Sequence, residues 1–452
     1  MPRQLYCTAL VALALVTGAA TAQAAARWGP IHTLSAPSRT LLLPTALTLD
    51  VRGDAAAVWY RNGAVEATAR TTSGRWRRPV VLGQPRPSHG GLELAMAPTS
   101  GEAVAAWWSP RSGPRRIHFA QLPAPSARWR PGTTFGPAPP GSIEPTLGFD
   151  EAGRLTMSWY WRGGVQVSSR PPGGAFSTPQ TLITVPGPGL DAPVLAVGAR
   201  GDAMVAWNRY MDPIRTIESA SRPAGGAWGS PERIAPVANP SNRSPYMSEP
   251  QLAVDENGRA TALWGIGGAG ASSLRIMTAD RPVGGSWSPP RELENADFTT
   301  GIAPRLAENP AGAVAAIWGA RDRGGRALIR ASVRPAGVAS FAAPLTLSSP
   351  GRATGQGTVA IDRAGDVAVA WTELLPGQRG SVLKVRIRPA GQTAWQPAQT
   401  IARPGPRAAV TGARLEIAEP QLAWGGRRLV ALWTECTGAS PLCTVKSASR
   451  PR

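Results

Sequence analysis

The chain has 452 residues, 51 of them glycine and 46 proline, and a formal charge of +20. That much Gly and Pro excludes a helical bundle, because both residues weaken helix interiors. Three cysteines and three scattered histidines (His32, His89 and His118) exclude a zinc set, and no cofactor-binding motif is present.

The first element in chain order is an export signal, expected over residues 1–26. Arg3 supplies the positive region, Leu5 to Val16 a short apolar run, and Ala22-Gln23-Ala24 a small-x-small cleavage pattern. The run is shorter than the roughly 20 apolar residues of a transmembrane helix. Cys7 lies near the start of the run and not after it, which argues against a lipid anchor, and no later segment is expected to span a bilayer. Residues 27–452 are therefore expected as one extracytoplasmic domain and a monomer. Without Cys7, only Cys436 and Cys443 remain, and in an oxidising compartment they are expected to form one disulfide.

The rest of the chain is repetitive. An apolar segment, a turn ending in Gly, five mostly small or β-branched residues and a Trp recur eight times. The copies are GDAAAVW (Gly53–Trp59), GEAVAAW (Gly101–Trp107), GRLTMSW (Gly153–Trp159) and GDAMVAW (Gly201–Trp207). They continue as GRATALW (Gly258–Trp264), GAVAAIW (Gly312–Trp318), GDVAVAW (Gly365–Trp371) and GRRLVALW (Gly426–Trp433), the last with one extra residue. Most copies are followed by a strand-like run, an Arg-Pro turn and a second aromatic residue, as in SRPAGGAWGSPERI (Ser221–Ile234). Pro fixes φ and Gly accepts positive φ, so this pairing makes a tight reversal.

Four short strands per unit of about 50 residues is the arithmetic of a propeller blade. The predicted fold is all-β: a single β-propeller of eight four-stranded blades, with seven blades or two smaller propellers as alternatives. The ends support the eight-bladed ring. The chain stops at SASRPR (Ser447–Arg452), where a glycine, an aromatic residue and a fourth strand should follow, and RWGPIHTLS (Arg27–Ser35) supplies the missing pieces. The N-terminus is expected to complete the last blade and to shield its edge.

The turns LDVRG, FDEAG, VDENG and IDRAG, containing Asp50, Asp150, Asp255 and Asp362, each precede a strand ending in Trp. They resemble the Asp-box, or BNR, repeat of bacterial sialidases and related exported propellers, over nearly the whole mature chain. The gaps are longer than in that repeat and half the units lack the Asp, so these residues are read first as turn caps accepting backbone N–H bonds. The resemblance implies an arginine cluster for a carboxylated sugar, a tyrosine paired with glutamate, and an aspartate acid. Tyr60, Tyr160, Tyr210 and Tyr246 lie in no matching motif, so no catalytic residue is carried over.

Turn lengths locate the working face. The turns between first and second, and third and fourth, strands are short and uniform. The opposite rim carries loops of variable length, the usual place for binding residues. Candidate ligand contacts there are Tyr60, Arg61, Trp108, Arg111, Tyr160, Trp161, Arg162, Arg209 and Tyr210, with Arg321 and Arg323 nearby. Flat rings beside guanidinium donors suit sugars. A second set, Glu144, Asp191, Glu249 and Glu419, precedes the first-strand proline and is expected to ring the channel mouth. The alternative reading makes the rings blade-end covers and the acids structural ion pairs.

The expected function is a secreted, non-catalytic binding or scaffold propeller contacting polysaccharide or another anionic envelope polymer. A sialidase-like exo-glycosidase is the alternative, and a protein–protein platform the third reading. The basic residues form no dense run, so nucleic acid is not an expected partner despite the charge.

Overall fold

The computed structural model describes residues 27–39, 45–84, 91–109, 115–185, 189–211, 214–237, 246–267, 273–297, 303–322, 324–349, 353–375, 380–403, 416–437 and 442–452. The expected export signal lies outside them. So do Arg111, Arg323 and the side chains of Tyr246 and Glu419.

Eight antiparallel sheets succeed one another along the chain. Blade 1 comprises Thr45–Leu49, Ala55–Arg61, Ala64–Arg70 and Val80–Gly83, and every later blade repeats this meander. The first strands of neighbouring blades touch in sequence, and that of blade 8 (Glu416–Gly425) returns to that of blade 1. The ring is therefore closed, with first strands around a central channel. Blade 8 takes its outer strand from the N-terminus: His32 and Thr33 pair with Ser447 and Lys446 of the strand Leu442–Pro451. The Gly29 and Leu34 amides donate to the Ser449 and Val445 carbonyls at 2.8 Å, extending the seam. Cys436 and Cys443 stand directly opposite each other in blade 8 and form the expected disulfide.

The repeated residues acquire physical roles. Each repeat Trp is almost wholly buried, with its second strand packed between neighbouring sheets. Ala-rich second strands let the sheets approach, and the large indole fills what remains, the dense packing that a core requires. Several indoles also bond a polar side chain: Trp59 donates to Glu66 at 2.9 Å, Trp159 to Gln166 at 3.0 Å and Trp318 to Glu294 at 2.7 Å.

The Asp residues cap their turns. Asp50 Oδ1 accepts from the Arg52 and Asp54 amides at 2.9 Å, and Asp255 and Asp362 repeat the pattern. In blade 6, Asn309 does the same for Ala313, at 2.9 Å, and its amide reaches the Asp362 carbonyl of blade 7. Gly53, at φ 90°, occupies the left-handed position that closes such a turn.

The arginine that ends the third strand is equally structural. Arg70, Arg170, Arg222 and Arg334 lie over Trp76, Phe176, Trp228 and Phe341 of their own blades, at 5.2 to 5.6 Å. Arg170 also pairs with Glu102, and Arg334 with Asp280, across the boundary to the preceding blade. These guanidinium groups are thereby removed from the surface pool of positive charge.

Candidate functional site

The channel has two unlike ends. On the face of uniform turns, a cavity of about 350 Å³ is lined from all eight blades. Residues at one first-strand level, among them Leu49, Phe149, Val197, Val254, Ile361 and Trp424, give it an apolar collar. Glu308 stands at the same level in blade 6. Neither of its carboxyl oxygens meets a hydrogen-bond donor among the described residues, and burial, reinforced by Asp255, pushes its pKa up to about 8. Outside the collar, Glu151 of blade 3 pairs with Arg363 of blade 7.

The other end opens on the variable rim and is acidic. Glu144 of blade 3, Asp191 ahead of blade 4 and Glu249 of blade 5 lie within electrostatic reach of one another. Glu93 of blade 2 joins them. Burial pushes Glu93 up to about 7, with Arg305 opposing and Glu249 adding to the rise. Glu144 is raised by burial and then by Glu249 and Asp191, while Arg115 opposes. Glu249 is raised by the partial desolvation of the mouth and by Asp191, against Arg305. Glu144 also sits at φ 55°, where the ladder between first and second strands shifts register between Ile143 and Thr146. A glutamate in the left-handed region is strained, and the bulge fixes where its side chain leaves the strand.

Asp191 is held from one side. It accepts a hydrogen bond from the Tyr210 phenol and another from Asn208 Nδ2 at 3.1 Å. Burial, followed by that bond to Asp191, raises the phenol's pKa beyond its ordinary value.

Three ring–guanidinium pairs stand on consecutive second-to-third strand hairpins beside this mouth. Arg115 lies over Trp108 at 5.5 Å, Arg162 over Trp161 at 5.3 Å, and Arg215 over Tyr210 at 4.4 Å. Trp108 is buried, whereas Trp161 and Tyr210 are half-buried and Arg162 is exposed. Trp161 donates to the Pro140 carbonyl at 3.1 Å, which fixes the ring.

Other candidates serve the blades. Arg61 pairs with Glu66, and Arg209 pairs with Glu218 at 3.0 Å, so both bind carboxylates of their own sheets. Tyr160 accepts the Gly163 amide at 3.0 Å and closes its own hairpin. Tyr60 is half-buried among the aliphatic residues between blades 1 and 2, and burial raises its pKa. The sequence reading missed Glu93, Arg115, Arg215 and Arg305. For the two hairpin arginines the signal was spacing: each lies five to seven residues beyond a rim aromatic, on the returning strand.

The arrangement offers carboxylates as acceptors for hydroxyl groups, and flat rings made rigid by guanidinium contacts. Among the described residues, no three His, Cys, Asp or Glu side chains converge closely enough to hold a metal ion. No helix there is long and apolar enough to cross a membrane.

No family model matches the chain, and no curated protein matches it. Solved structures do. The fold is similar to that of sialidases. The NanB sialidase of Streptococcus pneumoniae aligns with 94% of this chain and 70% of its own, at 10% identity and a TM-score of 0.39. The intramolecular trans-sialidase of Ruminococcus gnavus aligns with 78% of this chain and 93% of its own, at 11% and 0.40. Polysaccharide lyase Uly1 aligns over 88% of each chain, at 11% and 0.48. At such identities the likeness concerns the fold alone.

Proposed function

We propose that the protein is an exported, non-catalytic carbohydrate-binding propeller whose ligand lies over the variable rim of blades 2 to 5. One observation carries the reading: four carboxylates from consecutive blades share a channel mouth flanked by three ring–guanidinium pairs. Carboxylates accept sugar hydroxyls, and Trp161 and Tyr210 offer apolar ring surface against which a pyranose packs. The signal over residues 1–26 would deliver the chain to the compartment where its disulfide forms.

The test is a glycan and cell-wall polymer array probed with the purified protein and with Trp161→Ala and Asp191→Asn. Binding to a defined glycan that both substitutions abolish supports the reading. Binding that neither affects removes the rim from it.

A second reading, a sialidase-like exo-glycosidase, is favoured by one contact, the Tyr210 O–H donated to Asp191. A carboxylate so placed is able to take a phenol's proton and activate it as a nucleophile. The surrounding arginines tell against it. Arg209 is tied to Glu218, Arg215 covers the Tyr210 ring, and Arg305 opposes the charges of Glu93 and Glu249. Hydrolysis of an aryl sialoside by the wild type, lost in Tyr210→Phe, would establish the enzyme reading instead.

A further inference from the structure

The second aromatic of each repeat sits in the seam between its own blade and the preceding one. Trp28 packs into the seam of blades 7 and 8, Trp76 into that of 8 and 1, and Trp129 into that of 1 and 2. In these three consecutive seams the residue before the aromatic is arginine: Arg27, Arg75 and Arg128. In the other five it is Ala175, Ala227, Ser286, Ser340 or Ala394. Blades 1 and 2 add Arg77, Arg78 and Arg130 just after the Trp, and all six arginines are exposed.

Blades 1 and 2 offer them no exposed carboxylate. Residues 45–141 contain twelve arginines and five acids. Of those acids Asp50, Asp54, Glu66 and Glu102 are buried and Glu93 belongs to the channel mouth. Among the described residues none of the six arginines makes an ion pair. Arg77 instead donates to the Ser126 and Ala127 carbonyls of blade 2, locking the two neighbouring segments together.

We infer that the outer wall of blades 8, 1 and 2 is a docking track for an extended polyanionic polysaccharide. Each arginine lies within two residues of an indole wedged in a seam, so its backbone is held on a rigid support, and less ordering entropy is lost on binding than from a mobile loop. A guanidinium fork pairs with carboxylate or sulfate oxygens two at a time. The wall is convex around the ring, so a flat bilayer meets only part of the track, whereas a flexible chain follows all of it. The surface shares no residue with the proposed rim site, and the two stand or fall separately.

Binding to immobilised dextran sulfate, with unsulfated dextran as reference, tests the track at 50 and 300 mM NaCl. The wild type should bind only the sulfated polymer, and more weakly at the higher salt as counterions compete. The exposed quartet Arg75→Ala/Arg78→Ala/Arg128→Ala/Arg130→Ala should weaken binding at least about tenfold, because each lost guanidinium removes one polymer contact. A second quartet, Arg200→Ala/Arg233→Ala/Arg403→Ala/Arg427→Ala, removes the same charge elsewhere and should cost less than about threefold, since only long-range attraction is lost. Thermal melting identifies any quartet that perturbs the fold, and the pair Arg78→Ala/Arg130→Ala then substitutes for it. Equal losses from both quartets would overturn the track in favour of net charge alone. So would no binding to dextran sulfate at 50 mM NaCl, or binding only to phosphatidylglycerol vesicles.

Discussion

Glu151 of blade 3 and Arg363 of blade 7 form an ion pair across the ring, 212 residues apart in sequence. In an eight-bladed ring these blades face each other, so the pair lies over the cavity instead of along its wall. Both side chains are substantially exposed, and solvent screens such pairs to about 0–1 kcal/mol. Arg363→Gln should therefore lower stability by no more than about 1 kcal/mol, and 1 M NaCl should erase the difference. Urea denaturation at low and high salt checks this, and a larger, salt-independent loss would mean that the pair is a strut.

Glu308 gives a pH dependence of definite sign. Its folded-state pKa, about 8, lies above the ordinary carboxyl value of 4.5, so the native state holds the proton more tightly than the unfolded chain. Its stabilising contribution is present below pH 4.5 and is lost as pH rises through 8. Glu308→Gln keeps the uncharged shape, so it should match the wild type at pH 4 and melt a few degrees higher at pH 9. A wild type that is no less stable relative to the variant at pH 9 would contradict the buried, partnerless carboxyl.

The buried pair of Arg334 and Asp280 joins blades 5 and 6, with the Arg334 side chain 1% exposed. Arg334→Ala removes the buried one of three arginines on Asp280, leaving Arg291 at 2.7 Å and Arg259 at 3.5 Å, and should cost about 1.5–3 kcal/mol, as for a hydrogen bond to a charged group. Adding Asp280→Ala should cost less than the two single losses summed, because both changes remove the same contact. A double-mutant cycle by denaturant titration measures the coupling.

Ring closure predicts that Trp28, packed against the core of blades 7 and 8, is worth far more than an ordinary terminal residue. Trp28→Ala should destabilise by about 2–4 kcal/mol, as for other large-to-small core changes. A change within 0.5 kcal/mol would detach the N-terminus from the fold.

Blade number, hub Trp positions, turn caps, the disulfide and closure by the termini were all legible, because each repeats or pairs at fixed spacing. What escaped depends on register and on the closed ring. Arg61 looked available until strand pairing placed Trp59 opposite Glu66, which then captures both the indole and Arg61. Glu93 stands where other blades have Gln251 or Thr146, and only the ring brings it to Glu249. The Glu151–Arg363 pair requires the blade count before the two residues face each other. The arginines of blades 8, 1 and 2 looked dispersed because blade 8 draws its outer strand from the other end of the chain.

The account turns most directly on calorimetric titration of the best-bound array glycan into the wild type, Trp161→Ala, Glu93→Gln and the wall quartet at Arg75, Arg78, Arg128 and Arg130. Trp161→Ala should weaken binding about tenfold or more, in line with loss of one ring contact, while the wall quartet leaves a neutral glycan unaffected. Wild-type affinity should rise between pH 6 and 8 as Glu93, whose pKa is raised to about 7, becomes a better acceptor. Glu93→Gln should flatten that rise. Unchanged affinity in Trp161→Ala, with the loss appearing only in the wall quartet, would contradict the rim site and move recognition to the outer wall.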